Sequence, residues 1–229
     1  MSIDNVRDLV RLLQLASPAL PIGAFSYSQG LEAAVEAGIV HDRKSACDWI
    51  NDLLTYTLTT TEAPVLLRLI EAWRAHDYAA ANRWNDLFLA SRETAELRAE
   101  TAQMGFSLAR LFNELPDIDR DALRSMNEFN QVSFPAAFAC ACAAWRLAPA
   151  EALSAYLWSW AENQVMAALK TVPLGQTDGQ RMLFAIGGRL PAIVERAATL
   201  GDDEIGSFAP RLAILSSRHE TQYSRLFRS

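Results

Sequence analysis

Residues 134–145 read Phe134-Pro135-Ala136-Ala137-Phe138-Ala139-Cys140-Ala141-Cys142-Ala143-Ala144-Trp145. At helical period this run is apolar on nearly every side. A surface helix keeps one polar face, whereas a helix apolar all round lies inside a bundle or a membrane. Extended back to Val132, the run is still too short to cross a bilayer, which takes about 20 residues. The spacing therefore predicts a central, buried helix that other helices must surround.

Those other helices are legible on both sides. Ala150 to Val172 reads as a long helix stopped by Pro173 and Gly175. Tyr78 to Ser91 and Thr94 to Leu115 read as two amphipathic helices or one kinked helix, closed by Pro116-Asp117-Ile118-Asp119. Near the start, Asp4 is a candidate cap for a helix through Leu15, with Val6, Leu9, Val10 and Leu13 on one stripe. Ser17-Pro18-Ala19-Leu20-Pro21-Ile22-Gly23 ends that helix and forces extended backbone. Helix is expected again from Ser26 to Ala37, with Gly38 as its stop. Another is expected from Asp42 to about Thr60, with Ser45 and Asp48 spaced like a capping box and Pro64 in the first turn of the next. Gly187-Gly188 and Pro191 predict a break within Gly179 to Leu200, and Asp202-Asp203-Glu204 a solvated acidic turn. Period-2 strands and repeats of solenoid length are missing. The expected architecture is all-α: a single helical bundle over residues 1–215, followed by a tail at 216–229.

The chain has 229 residues, and 51% hydrophobic with 21% charged residues allows a sizeable core. A formal net charge of −6 disfavours nucleic acid or an anionic membrane surface as the main partner, since both select basic faces. The opening Met1 to Val10 lacks the basic-then-apolar order of a secretory signal, so a cytoplasmic protein is expected. Cys47, Cys140 and Cys142 form neither a disulfide framework nor a zinc spacing. Cys140 and Cys142 sit about 200° apart around a helix and read as small buried hydrophobes.

Catalytic residue patterns are scarce. No phosphate-cradling Gly-x-x-x-x-Gly-Lys-Ser/Thr run and no Gly-x-Ser-x-Gly elbow is present. His219-Glu220-Thr221-Gln222-Tyr223 imitates a zinc-protease motif but carries Tyr223 where the second ligand must stand. Glu93, Glu96, Glu100 and Gln103 make a row at helical spacing, read as a solvated face laced by Arg92. Trp158-Ser159-Trp160-Ala161-Glu162-Asn163-Gln164 joins an aromatic half suited to core with a polar half. That polar half would either bind a partner or line a wet internal passage.

The tail Ser216 to Ser229 reads SSRHETQYSRLFRS. It sets Arg218, Arg225 and Arg228 against a single Glu220 and interleaves Tyr223, Leu226 and Phe227 without a clean helical stripe. Arginines for directional hydrogen bonds and aromatics for anchoring suit a docking peptide; a frayed polar end on the last helix is the alternative.

Four blocks together resemble the F-type urease accessory proteins, the UreF family. They are Leu12 to Pro18 continuing through Leu20 to Glu32, Ser91 to Arg98, Lys170 to Gln176, and Arg218 to Phe227. They occur in the expected order and cover nearly the whole chain. The resemblance implies an all-α homodimer with no catalytic activity, cofactor or metal-ligating cluster of its own. It implies assembly with a UreD/UreH-type accessory protein and a UreG-type GTPase on apo-urease, in support of nickel insertion and lysine carbamylation. The tail would be ordered against the UreD/UreH-type partner, and the surface so formed would recruit the GTPase. The expected partner-binding residues are Lys170, Gln176 and Gln180, together with Arg218, His219, Glu220, Gln222, Tyr223, Arg225, Leu226, Phe227 and Arg228. The alternative is a strict GTPase-activating protein, one of whose tail arginines enters the partner's transition state.

Overall fold

The computed structural model describes residues 3–115 and 117–229, with side chains from residue 6 onward. It is helical throughout, with no strand among the described residues. The helices are α1 (Ile3–Ala16), α2 (Leu31–Glu36), α3 (Arg43–Leu53), α4 (Ala63–Arg74), α5 (Tyr78–Ala90), α6 (Ala95–Asn113), α7 (Arg120–Asn127), α8 (Phe134–Ala144), α9 (Pro149–Thr171), α10 (Gln176–Gly187), α11 (Leu190–Thr199) and α12 (Pro210–His219).

The decisive run forms α8, and every residue from Phe134 to Cys142 is buried. Helices α4 and α6 flank it. On the α6 side the approach is so close that a Cβ on Gly105 would stand 2.1 Å from the Val132 carbonyl oxygen. A buried helix start must find acceptors for its free N–H groups. Here Asn85 Oδ1 accepts from Ser133 N at 2.8 Å, Thr101 Oγ1 from Phe134 N at 3.0 Å, and the Ser133 side chain from Ala136 N at 3.4 Å. Cys140 and Cys142 are buried as expected, and burial pushes both thiols well up.

Several local expectations need correction. The stripe Val6, Leu9, Val10 and Leu13 on α1 faces solvent, whereas Leu15 on the opposite side enters the core. The capping role expected of Asp4 falls on a side chain outside the described residues, as does Pro116 of the closing loop. The capping box of α3 is formed by Asp42 with Ser45, not by Ser45 with Asp48. The helix expected from Ser26 begins only at Leu31, because Gln29 and Gly30 take φ of 50° and 78°. A side chain at residue 30 would also meet Leu212 of α12 at 3.0 Å. Helix α7 has no counterpart among the expected elements.

Between α3 and α4 the chain winds as a π-helix, Leu54–Glu62. Such wide turns are rare, and they add a residue per turn without ending the helix. The result is helical winding from Arg43 to Arg74 that delivers Glu62 into the interior, 6% exposed.

Candidate functional site

The tail folds back on the body. Helix α12 runs through Leu215 and Ser216 to His219, and the chain then crosses α2 and α6. His219 is fully buried between two carboxylates: Nδ1 lies 2.6 Å from Glu96 Oε2 and Nε2 lies 3.2 Å from Glu32 Oε2. Glu32 also accepts from the backbone N–H of Leu226 at 2.7 Å and of Phe227 at 3.0 Å. Arg225 Nη1 donates to the other Glu96 oxygen at 2.6 Å. Ser229 is buried, donating through Oγ to Glu100 Oε2 at 2.7 Å and accepting at its carbonyl from Ser28 N at 2.9 Å. Arg228 N donates to the Ser26 carbonyl at 2.8 Å.

The expected solvated row is exposed at Glu93 and Gln103 but covered at Glu96 and Glu100. Glu96 and Glu100 are the receptors of the tail, and the expected partner of Glu96, Arg92, turns inward to Glu62 instead. Two charged residues at helical spacing can pair across a solvated face, but a folded segment that covers the face outcompetes that weak pairing.

Beneath the row lies a small chamber of about 40 Å³, in which the polar groups of Gln29, Glu62, Arg92, Glu100, Tyr156 and Trp160 meet apolar walls that include Phe88 and Phe134. Arg92 Nη1 is 3.4 Å from Glu62 Oε2, its guanidinium sits 4.2 Å from the Phe88 ring centroid, and its Nε has no partner. Tyr156 donates its hydroxyl to Glu62 in a short contact. Trp160 Nε1 donates to Gln29 Oε1 at 2.6 Å, while Gln29 Nε2 donates to Glu100 Oε1 at 2.6 Å. Burial foremost pushes the Glu100 carboxyl up to about 7, with the Gln29 and Ser229 hydrogen bonds acting against it.

The polar half of α9 adjoins this interior. Gln164 is fully buried with both amide atoms unpartnered. Asn163 donates to the Tyr27 carbonyl at 3.1 Å, and Glu162 lines a neighbouring cavity of about 210 Å³. Gln164 alone is wholly internal; Glu162 and Asn163 are half-buried on a cavity whose lining includes the exposed Phe25 and Met166.

Among the sequence-predicted residues, the structure joins Lys170 to the tail. Its Nζ lies 5.4 Å from the Phe227 ring centroid, and Phe25, Ser26, Lys170, Leu226, Phe227 and Arg228 line a surface cavity of about 430 Å³. Phe227 is 6% exposed, whereas Tyr223 and Leu226 stand out in solvent. Arg218 and Arg228 are exposed, Glu220 Oε1 accepts from Glu96 N at 3.3 Å, and Gln222 Nε2 donates to the Ser224 carbonyl at 2.9 Å. Gln176 and Gln180 are exposed on α10 and do not line this cavity. The residues that sequence reasoning missed are Ser28, Gln29, Glu32, Glu62 and Glu100. Ser28, Gln29 and Glu32 fall in the block Leu20 to Glu32 and Glu100 in the glutamate row, but neither pattern names the tail as their partner. Among the described residues no group of three or more His, Cys, Asp or Glu could hold a metal ion.

A family model described as UreF matches residues 40–187. The chain is 55% identical to the urease accessory protein UreF of Azoarcus sp. (strain BH72), over 96% of this chain and 95% of that one. It is 53% identical to the urease accessory protein UreF of Dechloromonas aromatica (strain RCB), over 96% and 97% of the two chains. The bifunctional urease accessory protein UreEF of Bordetella bronchiseptica is 53% identical over 96% of this chain, which spans 52% of that longer protein. The chain belongs to the UreF family of urease accessory proteins.

Proposed function

We propose that this protein acts by assembly: it docks a UreD/UreH-type accessory protein through its tail and recruits a UreG-type GTPase, so that nickel is inserted into apo-urease. A homodimer in the cytoplasm is the form proposed to do so. The observation that carries this is the division of labour within the tail. His219, Phe227 and Ser229 anchor it to the body, which leaves Tyr223, Leu226, Arg218 and Arg228 exposed, with Leu226 and Arg228 beside Lys170. Ordered apolar side chains in water, next to arginines and with no cover from their own chain, are what an interface hot spot looks like before its partner arrives. Nickel in this scheme is cargo.

Reconstitution tests it. Apo-urease, nickel, bicarbonate, GTP, the UreD/UreH-type protein and the UreG-type GTPase should yield active urease with this chain present, and little without it. Equal activation in its absence would overturn the proposal.

The activator alternative is narrowed by one contact. Arg225 is engaged by Glu96, so an arginine reaching a GTPase site would be Arg218 or Arg228. A true activator raises turnover of the isolated GTPase at substoichiometric amounts, and Arg218→Ala or Arg228→Ala would then lose about 1000-fold or more. A scaffold is needed stoichiometrically.

A further inference from the structure

Ser159, Glu162, Asn163, Met166 and Lys170 fall at helical spacing along one face of α9. That face looks across the cavity of about 210 Å³, whose floor includes the buried Leu15, Ile22, Met104 and Phe134. An apolar cavity of about 150 Å³ holds a benzene ring, so this one has room for an aromatic or aliphatic side chain. The polar groups on its wall are not alike. Ser159 donates to the Tyr156 carbonyl at 2.9 Å, and Asn163 to the Tyr27 carbonyl at 3.1 Å. Glu162 is half-buried and has no ion-pair or hydrogen-bond partner among the described residues; burial alone raises its carboxyl. A carboxylate that has lost part of its water without gaining a cation is held at a cost, which an arriving cation removes. We propose that this cavity is the docking groove for an apolar peptide segment of the recruited GTPase, with a lysine or arginine of that segment on Glu162 and an aspartate or glutamate on Lys170.

The outer end of the groove carries the opposite charge. Phe25 and Lys170 line both this cavity and the surface cavity that holds Leu226, Phe227 and Arg228, so the two adjoin. Lys170 and Arg228 are exposed there, and neither forms an ion pair among the described residues. Glu162 and Lys170 stand eight residues apart on one helix, a rise of about 12 Å. A matching segment carries its cation and its carboxylate about two helical turns apart, or about four residues apart when extended, with apolar side chains between them. Opposite charges at the two ends favour one direction of the segment and reject the reversed one. The groove rests on the proposed recruitment of the GTPase, to which Lys170 is already assigned, and it names the chemistry that recruitment reads.

Two probes of similar shape and opposite charge, phenethylammonium and phenylacetate ions, read the groove on the full chain. In methyl spectra the signals of Met104 on the floor and Met166 at the rim should move with phenethylammonium. It should bind about tenfold more tightly than phenylacetate, as a charge-assisted contact allows. Glu162→Gln should erase that preference and melt no lower than the parent, since no partner of the carboxylate is lost. In complex with the UreD/UreH-type protein, Glu162→Lys should weaken capture of the UreG-type GTPase about tenfold or more. Unmoved methionine signals, equal binding of the two ions by the parent, or a preference that survives in Glu162→Gln would each overturn the proposal. So would parental capture of the GTPase by a normally folded Glu162→Lys. Probe binding that disappears as the chain self-associates would assign the cavity to a second copy and overturn it as well. A parent chain that captures no GTPase at all is a separate result: it overturns the recruitment reading itself, and the occupant of the groove with it.

Discussion

His219 contacts two glutamates that lie 187 and 123 residues away in sequence. Removing one partner of a buried charged cluster costs more than the cluster contributes, because the remaining charges are left uncompensated. His219→Ala should therefore lose about 3 kcal/mol in denaturant melts, the low end for broken buried pairs. A loss below about 0.5 kcal/mol, ordinary for a surface site, would show that the pocket admits water freely. Sequence reasoning placed His219 in the tail and in the docking group, but not between two carboxylates, because nothing local announces Glu32. The α6 row was visible but assigned to solvent, since helical spacing says which residues share a face and not what covers it. Ser229 shows the same limit. Nothing in its sequence context marks it, yet it is buried with two hydrogen-bonding atoms, so Ser229→Ala should also loosen the tail.

At the scale of elements, the tail is both anchor and display. His219, Phe227 and Ser229 show that it covers Glu32 and Glu100. Deleting residues 218–229 also returns those carboxylates to water, which offsets part of the loss. The truncated chain should stay helical and lose about 1–3 kcal/mol, as expected where buried groups lose hydrogen-bond partners. A truncated chain that is unfolded by circular dichroism would make the tail part of the core. The α9–α10 connection behaves as its prolines and glycines foretell: Thr171 closes α9 with Lys170 in its last turn, and Gln176 opens α10 after Gly175. Both side chains are exposed, so Lys170→Ala and Gln176→Ala should change stability by less than about 0.5 kcal/mol. Pull-down with the GTPase checks their proposed role: weakened recruitment is expected, and full recruitment by both variants would remove this segment from the interface. The π-helix was not legible, because no local pattern announces a wide turn; within it Thr55 and Thr60 donate to the Asn51 and Tyr56 carbonyls.

The whole molecule was legible where period and punctuation agree. The all-apolar run had to be central, the Gly187-Gly188 break separates α10 from α11, and Pro64 stands in the first turn of α4. It was illegible where one face has two possible covers, as with the α1 stripe that turns to solvent. Dimerisation is proposed from the family, and sedimentation at micromolar concentration should show a dimer; a purely monomeric species would contradict it. The central claim, that the outward half of the tail is a docking peptide, is tested most directly by leaving its anchors intact. Tyr223 and Leu226 touch water, so the double variant Tyr223→Ala, Leu226→Ala should keep the melting behaviour of the parent. Its affinity for the UreD/UreH-type partner, measured by calorimetry, should fall about 100-fold or more, since hot-spot side chains contribute about 2 kcal/mol each and about 1.4 kcal/mol is tenfold. Parental affinity in a normally folded double variant would contradict the account.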